Sequence, residues 1–307
     1  MPNVVVRALL AVLGTGLLVG GLLAGPAMAD TLTTTPISSS GATAAQVATS
    51  LIGAGVTGPT NATFGSSATT AVGTFSGGST AVGIPSGATM STGLLASLPG
   101  NGIYDPSTSL SKPGDADLNA LSGQTTYDAT TLEFDVVPSQ NSLEFSFTFT
   151  TGETDFYGQP YNDAFGLFVD GTNCAKFPNG QGVTLNNLLN PSNAANAITN
   201  TGLTLGIQQG SLSTVLTCHA SVTAGSPVHL KFAVGDAADR YYDSAGFIAS
   251  GSITSLIPTT TTYTGATGGP PGASAALSAT LIDTDTGLPL AGKTVTFTIE
   301  GIHYTAV

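Results

Sequence analysis

The sequence predicts an all-β protein: an antiparallel β-sandwich, jelly-roll-like, with a short N-terminal helix and a smaller β module behind it. Three observations carry that expectation. Leu143, Phe145, Phe147 and Phe149 alternate with Glu144, Ser146, Thr148 and Thr150, the period of a strand with one buried and one wet face. Val228, Leu230, Phe232 and Val234 alternate in the same way with His229, Lys231 and Ala233. Between such runs Gly, Pro, Asn and Asp recur at short intervals, which suits many short strands joined by turns.

The elements follow in chain order. Residues 1–29 carry Arg7, an apolar run from Ala8 to Ala24, the helix-breaking pair Gly25-Pro26, and the small residues Ala27-Met28-Ala29. This is the layout of a secretory signal peptide cleaved before Asp30; an uncleaved anchor is the alternative reading of the same run. Asp30–Ser40 reads as a Thr/Ser-rich leader. Ala42–Ile52 reads as a helix capped by Ser40, with Ala45, Val47, Ala48, Leu51 and Ile52 as its apolar stripe and Gly53 as its end. From Gly53 to Ser122, Gly, Thr, Ser and Ala dominate, consistent with linker or with the opening strands of a β domain. Leu132–Val137, ended by Pro138, and Ala164–Asp170 flank the Phe-rich strand. Asn193–Thr199 suggests a second helix, and Ala245–Ser250 and Ser252–Leu256 further strands. Near Pro258 the Thr259–Thr262 run and Gly268-Gly269-Pro270-Pro271-Gly272 mark a domain boundary. Beyond it, Ala275–Ile282 and Thr294–Ile299 alternate around the turn Asp283–Gly287.

Composition narrows the function. The chain of 307 residues has 6 Lys and Arg against 18 Asp and Glu, a net charge of −12 and only 8% charged residues. That excludes nucleic acid and an anionic membrane surface as partners, since both need clustered Lys and Arg. With 41% apolar residues a packed core is available. No second long apolar run follows the signal, so no membrane insertion is expected after cleavage. Two cysteines in an exported chain read most simply as one disulfide, Cys174–Cys218; two free buried thiols are the alternative.

Eleven of the 18 acids lie between Asp105 and Asp170, and Asp236, Asp239 and Asp243 follow. Carboxylates spread along Gly- and Asn-rich loops are what calcium requires, since it takes six to eight oxygens in flexible geometry. Asp115 with Asp117, Glu153 with Asp155 and Asp163, and the Asp236–Asp239–Asp243 turn are the candidate metal ligands. The competing reading is that these residues terminate turns by hydrogen-bonding their own backbone. Catalytic motifs are absent: no G-x-S-x-G, P-loop, dinucleotide fingerprint or zinc spacing occurs, and His219, His229 and His303 are scattered. A glycosidase needs two placed carboxylates, but the chain has no Trp to serve as a sugar platform. Arg240, Tyr241 and Tyr242 form an aromatic and basic trio of the kind that anchors ligands; Tyr157 and Tyr161 flank a neighbouring turn.

Several segments, in order, resemble the bacterial choice-of-anchor L domain. They are SGATAAQVATSLIGAGV, GIPSGATMSTG, KPGDADLNALSG, TYDATTLEFDVVPSQNSLEFSFTFTTGETDFYGQPYNDAFGLFVDG and HLKFAVGDAADRYYDSAGFIASGS. The family's Ser-Glu-Glu-Tyr is here Thr151-Gly152-Glu153-Thr154, so one acid and the Tyr are missing. The resemblance implies an exported cell-surface protein and no established reaction. The tail SATLIDTDTGLPLAGKTVTFTI resembles the first strands of a bacterial immunoglobulin-like repeat, and about 50 residues are too few for a whole one of about 100. The chain is thus expected to comprise a signal peptide (1–29), a choice-of-anchor L-like sandwich (30–257) and a linker with a partial immunoglobulin-like module (258–307). The expected role is secreted or surface binding and adhesion without catalysis, calcium-stabilised, toward an extracellular protein or glycan. A carbohydrate-active hydrolase using Glu153, Asp155 and Asp163, or a structural cell-wall or biofilm component, are the alternatives.

Overall fold

The computed structural model describes residues 30–102, 106–266, 274, 276–284, 286–299 and 302–307. The expected signal peptide, the Gly268–Gly272 stretch and Asp285 lie outside these residues. The described chain divides into two units between Leu256 and Ile257.

The first unit is an all-β sandwich of antiparallel sheets. Its larger sheet contains β1 (Thr33–Pro36), β3 (Val72–Ser76), β4 (Ser86–Ser91), β6 (Ser142–Thr151), β9 (Ala197–Thr199), β10 (Ser211–Ser213), β11 (Leu216–Ser221) and β13 (Ser244–Ala249). Their order is β1-β3-β4-β13-β6-β10-β9, with β11 also paired to β6. The second sheet contains β2 (Val56–Thr63), β5 (Thr126–Pro138), β7 (Ala164–Val169), β8 (Thr172–Asn173) and β12 (Val228–Ala237), in the order β2-β5-β12-β7-β8. Short helical pieces connect them: α1 (Ile37–Ser40), α2 (Ala44–Leu51), α3 (Ser79–Val82), α4 (Ala116–Ser122) and α5 (Leu185–Leu188).

The two alternating runs face each other, as their period requires. Phe145 of β6 meets Phe232 of β12 edge-on at 6.0 Å, and Phe147 and Phe149 meet Phe165 of β7 at 5.2 and 6.3 Å. Each fully buried Phe contributes about 1.5–3 kcal/mol of transfer free energy. Phe165 fits because Gly246 of β13 stands opposite: a Cβ there would lie 2.1 Å from the ring. The wet face expected for β6 holds only at Glu144 and Ser146. Thr148 and Thr150 are buried, because a second apolar cluster built from Phe75, Val82, Ile84, Leu95, Ile207 and Phe247 lies nearby, and Thr148 Oγ1 donates to Val82 O at 2.8 Å.

Other elements shift in detail. Helix α2 is capped by Thr43 rather than Ser40, through a reciprocal capping box with Gln46, and it buries Ala44 in place of Ala45. The Gly-rich stretch after Gly53 is not linker but carries β2, β3 and β4. Asn193–Thr199 divides into a 3-10 turn, Pro191–Asn196, and strand β9. Ser252–Leu256 forms no strand; Ile253 and Thr254 make single bridges to Ile52 and Glu144.

Cys174 and Cys218 form a disulfide. Cys174 follows β8 of the smaller sheet and Cys218 lies in β11 of the larger, so the bond joins the two layers at one edge.

The second unit contains two antiparallel hairpins. β14 (Thr259–Tyr263) pairs with β15 (Ala279–Asp283), and β16 (Val295–Ile299) with β17 (Ile302–Ala306). The threonine run expected as linker is thus strand, in keeping with the preference of β-branched residues for extended backbone.

A crosslink across 44 residues stabilises by about 4 kcal/mol in the chain-entropy model. The Cys174→Ser/Cys218→Ser chain should therefore unfold at a lower urea midpoint, by up to that amount. Equal midpoints for the two chains would show that the bond constrains nothing.

Candidate functional site

Three connections meet at one end of the sandwich: the β6–β7 loop, the β12–β13 loop and the segment leaving β4. Gly152 N donates to Asp243 O at 3.1 Å, and Thr92 N to Ser244 O at 2.9 Å. Strand β12 reaches this end through a bulge between Val234 and Asp236, a device that re-aims side chains where pairing is interrupted. Beyond it, Ala238 (φ 74°) and Tyr242 (φ 57°) sit in the left-handed region, which costs energy for a residue with a side chain.

Beneath these loops lie four buried acids. Asp163 Oδ1 accepts from Ala237 N at 2.8 Å and Oδ2 from Ser244 Oγ at 2.6 Å, so one carboxyl ties the ends of β12 and β13. Burial pushes Asp163 up to about 7 against those two hydrogen bonds. Burial first, then the charges of Asp163 and Asp239, push Glu153 up to about 11. Asp236 is raised well above the carboxylate range by burial, with repulsion from Asp163, Asp243 and Glu153 adding to it and the Thr92 hydroxyl opposing. Yet no hydrogen bond of good geometry reaches either Asp236 oxygen; Thr92 Oγ1 is instead engaged with Ser244, accepting from its N–H at 2.9 Å. Asp243 accepts from Thr108 N at 2.8 Å, and burial pushes it up to about 7. A Cβ on Gly93 would lie 1.7 Å from Asp243 Oδ2, so only glycine leaves room for that carboxyl.

The remaining candidate acids are elsewhere. Asp115 caps α4 through Asp117 N and Leu118 N, and Lys231 Nζ bridges Asp115 Oδ2 (2.6 Å) and Asp117 Oδ2 (2.7 Å). Asp155 is exposed, and Asp239 closes a turn by accepting from Tyr241 N at 3.0 Å. Among the described residues no three His, Cys, Asp or Glu side chains stand arranged as a metal centre.

Arg240 is less free than its sequence neighbourhood suggests. It pairs with the fully buried Asp128 at 2.6 Å and lies over the Tyr127 ring at 4.7 Å. Asp128 also accepts from Leu110 N and Lys112 N, so the pair pins the segment that precedes α4. The sequence reading missed Asp128, whose place in the strand-like run TYDATTLEFDVV gives no sign of an ion pair. Tyr241 and Tyr242 are exposed at 64% and 41%, and Tyr157 at 52%. Phe156 links the two loops, its ring 5.7 Å from both Tyr161 and Tyr242. The sequence reading missed Phe156 as well. The histidines serve the sheet surfaces: His219 lies 2.9 Å from Glu144, and His229 2.7 Å from Asp135. Two shallow depressions, about 410 and 490 Å³, flank the disulfide near Lys176 and His219 and contain none of the four buried acids.

A two-sheet antiparallel sandwich with a disulfide between its layers defines a β-sandwich domain. The profile of the choice-of-anchor L domain matches residues 35–254, and the chain belongs to that family. Membership makes it a surface-anchored, extracellular or cell-surface protein and implies a non-catalytic domain. No curated protein matches the chain. No helix among the described residues is long and apolar enough to cross a membrane.

Replacing Arg240 with Ala leaves the Asp128 charge buried without its cation. The variant should lose about 2–3 kcal/mol, below the full cost of breaking a buried pair because Arg240 is one-third exposed; urea unfolding measures it, and an unchanged midpoint would show the pair to be inert.

A pH effect is expected at His229, which is raised above 6.5 chiefly by its hydrogen bond to Asp135. A raised folded value gives stability that is complete below pH 6.5 and disappears as pH climbs through the folded value. Asp135 is lowered from 3.8, first by Asn61 and then by His229, so its contribution is present above pH 3.8 and lost in stronger acid. His229→Gln should accordingly destabilise at pH 5.5 and much less at pH 9; a pH-independent difference would count against the ion pair.

Proposed function

We propose that this protein is a secreted or cell-surface binding and adhesion module, without catalysis, whose ligand-contacting rim is formed by the β6–β7 and β12–β13 loops. The observation that supports it is the group of exposed rings, Tyr157, Tyr241 and Tyr242, held in place by Phe156. Large hydrophobic side chains are otherwise mostly packed in the core of the sandwich, and exposed tyrosines on buttressed loops are economical contact groups because few torsions are frozen on binding. The strained backbone at Tyr242 fits a rim shaped for contact rather than for stability. The ligand class is an extracellular protein or glycan. Arg240 belongs to the support of this rim through Asp128.

The hydrolase alternative draws less support. A glycosidase presents its two carboxyl groups to the scissile bond, whereas Glu153 and Asp163 are both buried, and Asp163 is taken up by Ala237 N and Ser244 Oγ. The second unit, with two antiparallel hairpins joined by the Tyr263–Phe297 ring contact at 6.1 Å, we read as the opening of an immunoglobulin-like repeat.

The test is binding of the intact chain to a glycan array and to a panel of immobilised extracellular proteins. Tyr241→Ala and Tyr157→Ala should each weaken whatever is bound by about tenfold or more, the loss expected of a ring at the centre of a contact, with unchanged melting temperature. Binding that survives both substitutions would place the ligand surface elsewhere.

A further inference from the structure

The buried acids beneath the rim present more oxygen than the chain satisfies. Asp236 is fully buried with both carboxyl oxygens unpartnered, and Glu153 Oε2 and Asp243 Oδ2 are buried and unpartnered too. These groups come from three separate stretches: the end of β6, the bulged end of β12 and the start of β13. Asp163, at the head of β7, lies among them, its carboxyl accepting from Ala237 N and Ser244 Oγ, the chain neighbours of Asp236 and Asp243. The basic side chains that stand near this end are engaged elsewhere, Lys231 with Asp115 and Asp117 and Arg240 with Asp128. Carboxylates that repel one another in a dry interior require a counter-charge or protons.

We propose that Glu153, Asp163, Asp236 and Asp243 form a binding site for a hard divalent cation of the calcium type, which ties the β6–β7 loop to the β12–β13 loop. The donors are all oxygen, the set such an ion prefers and thiophilic metals do not. Asp236 offers two free oxygens, Glu153 and Asp243 one each. The acids do not stand as a formed metal centre, so cation entry has to draw the side chains of Glu153, Asp236 and Asp243 together. Of the eight acids that the sequence offers as ligands, Asp115 and Asp117 are held by Lys231, and Asp155 faces water. This site does not depend on the tyrosine rim binding anything.

The experiment is thermal unfolding of the intact chain at pH 7.5 in excess calcium chloride and in EDTA. Calcium at about 100 times its dissociation constant should raise the melting temperature by about 5–10 °C. Asp236→Asn should abolish the calcium response while melting in EDTA at or above the wild-type temperature, since the amide removes one buried charge; that second reading shows the variant to be folded. Asp115→Asn, outside the cluster, should keep the response. Identical wild-type melts in calcium and EDTA would overturn the proposal and leave protons as the occupants of the cluster. A calcium response that persists in Asp236→Asn would overturn it equally. The melts contain no other ligand, so their failure would leave the adhesion reading standing.

Discussion

The packing of β6 against the smaller sheet is the contact on which the rest of the sandwich depends. Phe145, Phe147 and Phe149 project from one face of β6, and Phe165 and Phe232 project to meet them from β7 and β12. Two sheets held face to face by aromatic side chains have little freedom to slide, because a one-residue slip on either strand would turn its whole apolar set outward. Everything else attaches to that fixed pair. Helix α2 packs Val47, Ala48 and Leu51 into the same core, the disulfide closes one edge, and the loops carrying Glu153 and Asp243 leave from the ends of β6 and β12.

The core also explains why the loop end is polar. The Phe ladder stops at Phe149, and the next positions inward are Thr150, Thr151, Ser244 and Asp236, all buried. Burial of that kind demands partners. Most find them: Asp163 takes Ala237 N–H and Ser244 O–H, Thr130 Oγ1 donates to Ser91 O at 2.7 Å, and Gln209 Nε2 donates to Asp243 O at 2.5 Å. Asp236 stands apart in having both carboxyl oxygens unpartnered, and its position next to a β-bulge shows that this is built into the strand rather than left at a frayed end.

The strands were readable because their signal is local. Leu143–Phe149 and Val228–Val234 alternate with a period of two, and both prove to be central to the core. Thr148 and Thr150 were misread as wet because a Thr on the outer face looks the same whether water or a distant segment covers it. Ser252–Leu256 alternates as well, but it lacks a neighbour along its length and makes only bridges. The site divides in the same manner. Its acids and tyrosines stand out by residue type, whereas their grouping depends on which loops come together. Asp115 and Asp117 look as suitable for a cation as Asp236 does; only the fold shows that Lys231, more than a hundred residues away in sequence, reaches them. Arg240 belongs visually with Tyr241 and Tyr242, yet Asp128 takes its charge inward.

The loops that carry the exposed tyrosines also carry the buried acids, and this links the two halves of the site energetically. Phe156 and Tyr157 follow Glu153 by a few residues, and Tyr241 and Tyr242 lie between Asp239 and Asp243. In the proposed cation site, an occupant that neutralises the acids would draw the loop bases together and so fix the rings above them before a ligand arrives. A rim arranged in advance loses less conformational entropy on contact than one that must be ordered by its ligand. Tyr242 makes the case most directly: its left-handed backbone is tolerable only while Asp243 beside it is held by Thr108 N–H and Gly152 N–H, and while Phe156 supports its ring. Loosening the acids would release that strain, and the tyrosine surface would lose its shape without any tyrosine being touched.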